Sequence, residues 1–115
     1  MIKVSDLWAE VKRIATERPD YVYPVDELGG CRYEADNAPS CIVGYALNRL
    51  GVEVGQLRDF DDGGGCYAEN LPQFWPEIFE IDSESALRRV GAVQNAQDSE
   101  YPWGAAASYA EEVVQ

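Results

Sequence analysis

Histidine is absent from this sequence, and lysine and arginine together number only nine. An imidazole is needed for Ser-His-Asp and Cys-His arrangements, for histidine general bases and for the commonest zinc sites, so none of these can be built within the one chain. The GxxxxGK[ST] and GxGxxG patterns of phosphate-binding loops are also missing. Most of the familiar catalytic arrangements are therefore excluded.

Long apolar runs are missing as well. No stretch approaches the ~18 consecutive apolar residues of a membrane-spanning helix, and the first segment, MIKVSDLWAEVKR, lacks the pattern of a signal peptide. The three cysteines are an odd number, which argues against a complete disulfide framework and agrees with a reducing compartment. We therefore expect a cytoplasmic protein that does not bind membranes and forms one globular domain over its 115 residues.

Acidic residues are abundant: 21 of them against nine basic residues give a net charge of −12. The imbalance is greatest between residues 59 and 87, which include no lysine or arginine and eight carboxylates: Asp59, Asp61, Asp62, Glu69, Glu77, Glu80, Asp82 and Glu84. Such a chain is not expected to bind a phosphate backbone directly, because that affinity comes from basic side chains. The charge either keeps the protein apart from its neighbours, or attracts a basic partner protein, or mimics nucleic acid.

Hydrophobic periodicity predicts a mainly α (α+β) fold, a compact bundle of four to five short helices with a small β-hairpin near residues 21–34. The Gly-Gly pair and the tyrosine-rich runs YVYP and CRYE indicate the hairpin. Short turns are expected in NLPQFWPEIFEI, holding Phe74, Trp75, Ile78 and Phe79 against the core. The predicted helices are Asp6–Glu17 after an N-cap at Ser5, Pro39 or Ser40 to Leu50, a short helix within Val52–Phe60, a helix from a cap at Asp82 or Ser83 to about Gln97, and about Trp103–Val113.

Two segments carry a resemblance. CRYEADNAPSCIVGYALNRLG and VQNAQDSEYPWGAAASYA are similar to a pattern in small uncharacterised proteins of actinobacterial phages and their hosts. The resemblance brings no known activity with it, but a phage origin implies an accessory protein that acts on a host component. The matching positions are Cys31, Tyr33, Pro39–Cys41, Gly44, Gln94, Gln97, Asp98, Trp103 and Gly104.

The cysteines raise the question of an enzyme. Cys41 stands in the expected first turn of a helix, where the free N–H groups favour a thiolate, so it is the best candidate nucleophile. No histidine is present to activate it, and the alternative is that Cys41 and Gly44 are small residues that allow close packing of the hairpin on this helix. We therefore predict no catalytic residue, and keep a small thiol- or metal-dependent enzyme centred on Cys41 as the alternative.

Metal sites are predicted to be absent. Cys31, Cys41 and Cys66 could supply three ligands, but the C-x₂₋₄-C pairs of zinc motifs are missing. The segment DFDDGGGCYAEN begins like a calcium loop, yet Asn70 stands where the bidentate glutamate belongs. We expect neither metal nor cofactor.

The favoured function is a small, acidic, non-enzymatic binding protein, an accessory protein of the phage type that engages the basic surface of a host or cellular protein. The first candidate patch for partner binding is Asp59, Asp61, Asp62, Tyr67 and Glu69, and the second is Tyr33, Gln94, Gln97, Asp98 and Trp103. An alternative for the second patch is that its amides fasten the last helix to the body of the domain. Reversing the three aspartates of the first patch to lysine is expected to leave the fold intact.

Overall fold

The structure is a computed structural model that describes residues 1–25, 31–64 and 67–114. Within these ranges the chain is mainly α-helical with a small antiparallel β element, which confirms the predicted fold class. No helix there combines the length and the apolar composition needed to cross a bilayer. The helices are α1 (Val4–Glu17), α2 (Ile42–Arg49), α3 (Val54–Asp62), α4 (Leu71–Phe74), α5 (Glu84–Asp98) and α6 (Trp103–Val113).

Helix α1 is the centre of the bundle and packs against α2, α5 and α6, while α5 and α6 lie along each other. The face of α1 that has apolar residues at helical spacing is buried, and it includes Leu7, Val11 and Ile14. The α2 face is buried likewise, with Val43 and Leu47 wholly inside. Periodicity therefore identified the core correctly in both helices, because each helix buries one continuous apolar stripe.

The start of α1 differs from the prediction for a reason that lies far away in the chain. The helix begins at Val4, and Ser5 is not its N-cap. Asp82, just before α5, accepts the backbone N–H of Ser5 at 3.0 Å and also the Ser5 hydroxyl. A carboxylate at a helix N-terminus accepts a free N–H group and interacts favourably with the helix dipole. Asp82 therefore caps α1 from another segment.

The antiparallel hairpin lies later in the chain than predicted. Its strands are β2 (Glu34–Ala35) and β3 (Ala38–Pro39), joined by Asp36 and Asn37, which have φ values of 52° and 63°. Asp and Asn tolerate this left-handed conformation, and two such residues make the tight turn that suits a hairpin. Residues 21–24 carry no strand, and residues 26–30 of the predicted turn lie outside the described ranges.

A second β element was not expected from the sequence. Strand β1 (Ile2–Lys3) pairs in parallel with β4 (Phe79–Glu80), and Ile2 lies opposite Phe79. Of the aromatic and aliphatic residues predicted to cover the core near β4, Phe79 is buried and Trp75 and Ile78 are partly buried. Phe74 is the exception, because it ends α4 with half of its surface exposed.

Contact between α2 and the hairpin segment depends on a glycine. A Cβ on Gly44 would come within 2.2 Å of the carbonyl oxygen of Tyr33, so no larger residue fits there. Cys41 caps α2, and its sulfur accepts the Gly44 N–H at 3.4 Å. This arrangement supports the expectation that Cys41 and Gly44 are small residues at a close packing contact.

Candidate functional site

Gln97 lies in the interior, where it connects the starts of two helices. Its side chain comes from the last turns of α5 and is wholly buried. Its Oε1 accepts the backbone N–H of Ile42, the first residue of α2, at 2.9 Å and the indole N–H of Trp103, the first residue of α6, at 3.1 Å. One amide oxygen therefore satisfies two buried donors that have no other hydrogen-bond partner in the structure described.

Gln94, one turn earlier on the same face of α5, also forms hydrogen bonds with residues of distant segments. Its Oε1 accepts the N–H of Ala68 at 2.7 Å, and its Nε2 donates to the hydroxyl of Tyr33 at 3.3 Å and to the sulfur of Cys31 at 3.0 Å. The side chain is also almost completely buried. We refer to Gln94, Gln97 and these hydrogen-bonded partners as the amide core.

The second candidate patch is therefore not a surface. Tyr33, Gln94, Gln97 and Trp103 are all buried, so a partner protein cannot reach them in this conformation. Burial raises the pKa of the Tyr33 hydroxyl, as expected for a phenol held away from water. The glutamines were predicted, as an alternative, to fasten the last helix to the body of the domain, and the bond from Trp103 to Gln97 supports that alternative.

Asp98 is the one member of the second patch that remains partly accessible. Its Oδ1 accepts the Nε2–H of Gln97 at 3.0 Å, which holds the Gln97 amide in the orientation that its other two bonds require. Burial nevertheless raises the pKa of the Asp98 carboxyl above its usual range. Asp98 therefore contributes to the amide core through its hydrogen bond with Gln97.

Cys41 is fully buried, which counts against the alternative of an enzyme centred on it. A substrate could reach the sulfur only if α2 moved away from the hairpin, and buried structural cysteines are generally inert. Cys31 is partly buried next to it, and the neighbouring Cys41 thiol, together with burial, raises the pKa of Cys31. Thiolate formation is thus disfavoured at the more accessible of these two cysteines, and Cys66 lies outside the described residues.

Metal ligands do not converge in the described ranges. No group of three or more histidine, cysteine, aspartate or glutamate side chains there is placed to hold an ion. In the segment that resembles a calcium loop, Asp61 already accepts two backbone N–H groups, from Tyr33 at 2.8 Å and from Glu34 at 3.1 Å. Asp61, the third position of that loop, therefore binds backbone groups of the hairpin segment.

These two bonds divide the first candidate patch. Asp61 is partly buried at the end of α3, and desolvation raises the pKa of its carboxyl. Asp59, Asp62, Tyr67 and Glu69 are exposed, and Tyr67 shows 56% of its surface. The expectation that lysine at Asp59, Asp61 and Asp62 leaves the fold intact needs correction at Asp61, because lysine has no acceptor for the two backbone donors.

The same division extends over the eight carboxylates between residues 59 and 87. Asp61 and Asp82 are bound to backbone groups of distant segments. The other six are exposed, and none belongs to an ion pair within the described parts of the chain. We call these six the acidic surface: Asp59, Asp62, Glu69, Glu77, Glu80 and Glu84.

Glu34 shows what a paired carboxylate looks like in this protein. Its side chain is 7% exposed and faces Arg58, whose Nε and Nη2 donate to its two oxygens at 3.4 Å each. The guanidinium of Arg58 and the N–H of Asn37 lower the pKa of Glu34. No residue of the acidic surface has such a partner in the structure as described.

A groove beside the acidic surface was not anticipated from the sequence. It has a volume of about 550 Å³ and lies between β1, the connection from α2 to α3, and the turn before β4. Its lining includes Ile2, Leu50, Val52, Glu53, Glu77 and Ile78. These residues come from three separate segments, so no local pattern in the sequence could have brought them together. We call this feature the apolar groove.

Comparison with known proteins assigns the chain to no family. No family model, no curated protein sequence and no solved structure matches the chain. Function must therefore be argued from the site itself.

Proposed function

We propose that this chain is a non-enzymatic binding protein that engages the basic surface of a host or cellular protein, as an accessory protein of the phage type would. The observation that carries the proposal is the acidic surface: six exposed carboxylates without an ion pair in the described residues. Unpaired exposed charges of one sign repel one another in a free protein and attract an approaching surface of opposite charge.

The supporting argument is one of accessibility. Charge steering acts on the encounter between two proteins, so the carboxylates that matter are those that face outward and are not bound by other groups of the protein. Asp59 and Asp62 at the end of α3 meet this requirement, and the exposed Tyr67 lies close by in sequence as an aromatic side chain of the kind that anchors interfaces. Asp61 does not, since its oxygens are engaged by the backbone.

Association kinetics test the proposal. A partner captured from the lysate of the native host would be measured against the wild type and against a Asp59→Lys, Asp62→Lys double variant, at low and high salt. The Debye length shortens from ~10 Å at 0.1 M to ~3 Å at 1 M, so the wild-type on-rate should fall steeply over that range. The double variant should associate more slowly at low salt and lose most of this salt dependence.

The matched control is the double variant Asp20→Lys, Glu112→Lys. It changes the net charge by the same amount at two exposed positions outside the acidic surface. If wild type and both variants associate equally fast at both salt concentrations, the carboxylates serve only to keep the protein dissolved and apart, and the proposal is wrong. An equal reduction by both variants would mean that net charge alone drives the encounter.

A further inference from the structure

The apolar groove is an open cleft named for its aliphatic side chains, and polar groups make up the larger part of its exposed lining. Leu50 and Ile78 are partly buried hydrophobic residues that pack on the core, and Val52, which also lines the groove, is buried. Glu53 and Glu77 stand on the lining as exposed residues. The groove volume of about 550 Å³ falls within the range of clefts that bind ligands in proteins.

The charged side chains of the groove in the described residues are both carboxylates, those of Glu53 and Glu77. Neither Glu53 nor Glu77 forms an ion pair within residues 1–25, 31–64 and 67–114, and no lysine or arginine lines the groove. Among the described lining residues, Met1 adds a cationic α-amino group. Glu77 also belongs to the acidic surface, so the groove continues the surface that we propose for partner binding.

From this geometry we propose that the apolar groove receives a segment of the partner protein in which an aliphatic side chain is flanked by lysine or arginine. The aliphatic group would fill the space between Leu50 and Ile78, and the basic groups would pair with Glu53 and Glu77. An acidic segment would be repelled. A second copy of this chain is disfavoured as the occupant by its net charge of −12. This inference rests on the proposed function and names the place and the chemistry of recognition.

Three synthetic peptides of about 12 residues provide the probe, each with the i, i+3, i+4, i+7 spacing of a helix that docks in a groove. The first has leucine at those positions and lysine elsewhere, the second leucine with glutamate, and the third serine with lysine. Each is titrated into the full chain at low salt while backbone amide chemical shifts are recorded. We expect saturable binding of the leucine–lysine peptide alone, with the largest shifts at Val52, Glu53 and Ile78.

A charge-reversed variant separates the groove from the acidic surface as a whole. Glu53→Lys, Glu77→Lys should weaken the leucine–lysine peptide about tenfold, a factor equivalent to 1.4 kcal/mol for two ion pairs at the edge of an apolar contact. With both variants compared at about 0.1 M salt, Asp20→Lys, Glu112→Lys, with the same change of net charge, should leave affinity within about twofold, because a Debye length of ~10 Å limits the reach of distant charges. Both variants change exposed residues, and melting temperatures equal to that of the wild type would show that the fold is kept.

The outcomes distinguish the two proposals. If the serine–lysine peptide binds as tightly as the leucine–lysine peptide, or if the shifts fall around Asp59, Asp62 and Glu69, the groove is overturned while an acidic binding surface stands. Equal weakening by the two double variants leads to the same conclusion. If neither lysine peptide binds at low salt, both the groove and the proposed recognition of basic surfaces are overturned.

Discussion

The amide core and the acidic surface use polar side chains in opposite ways. Around Gln94 and Gln97 each described amide group has a hydrogen-bond partner, and the surrounding residues exclude water. On the acidic surface six carboxylates face solvent without an ion pair in the described ranges. A buried polar group that loses its partner costs stability, whereas an exposed one is free to bind something else. The first region therefore maintains the fold, and the second is available for a partner.

The largest expected effect comes from removing an acceptor from the amide core. Gln97→Leu leaves the Ile42 N–H and the Trp103 indole N–H buried without their acceptor. At about 1–3 kcal/mol for each donor, the free energy of unfolding should fall by about 2–6 kcal/mol in denaturant melts. The matched control is Asn95→Leu, the same change at an exposed position of α5, which should stay within about 0.5 kcal/mol. Equal losses of stability in the two variants would contradict the structural role of the buried Gln97 amide.

A wholly apolar position gives a scale for that loss. Leu47 is completely buried in α2. Leu47→Ala should lower the free energy of unfolding by about 2–5 kcal/mol, the usual range for a buried leucine. A loss below about 1 kcal/mol in thermal or denaturant melts would contradict the burial of this face of α2. A loss similar to that of Gln97→Leu would show that the amide core matters as much as an apolar contact.

A sharper version of the comparison lies within one acidic segment. Asp61→Ala removes the acceptor for the N–H groups of Tyr33 and Glu34 and should destabilise the domain by about 1–3 kcal/mol. Asp62→Ala, one residue later and exposed, should change stability by less than about 0.5 kcal/mol. The measurement is chemical denaturation of both variants in parallel. If Asp62→Ala costs as much as Asp61→Ala, the division of the patch into structural and free carboxylates is wrong.

The smallest expected effect concerns pH. Burial raises the pKa of Asp98 in the folded protein, so the folded state takes up this proton at a higher pH than the unfolded state does. Its charged form therefore costs stability at neutral pH, and the cost disappears as the pH falls through the raised pKa. Asp98→Asn, which retains an acceptor for Gln97, should be slightly more stable than wild type at about pH 7 and equal to it near the carboxyl range of about pH 4. A variant destabilised only at about pH 7 would show that the charge itself is needed, and one equally destabilised at both pH values would show that the amide disturbs the site regardless of charge.

Helices were predictable where their signals are local. The predicted last helix agrees with α6 at Trp103 and Val113, and the Ser83 cap agrees with a hydroxyl that accepts the Ala86 N–H at 3.2 Å. The predicted hairpin lies too early in the chain because the Gly-Gly pair is the stronger turn signal in the sequence, whereas Asp36 and Asn37 form the turn of the observed hairpin. Tyr23 illustrates the difference: its hydroxyl accepts the Arg32 N–H, a side-chain contact where strand pairing was expected.

The candidate site was less predictable than the fold. Both patches were selected because polar residues cluster in the sequence, and the structure places one of them largely inside. The apolar groove was missed altogether, since Ile2, Glu53 and Glu77 meet only after three segments have packed together. Local periodicity does not predict such a site, because the site depends on contacts between residues far apart in the chain.

The sequence alone determined which chemistry this protein lacks, where most of its helices run and which faces they bury. Each of these follows from residue type or from local spacing, as with the absence of histidine or the apolar stripe of α1. Only the tertiary structure decided the use of each polar side chain. Asp61 and Asp62 are neighbours with the same carboxyl group, and one accepts two backbone N–H groups while the other faces water. The physical reason is that desolvation and hydrogen bonding depend on the surrounding atoms, and packing supplies those atoms from distant parts of the chain.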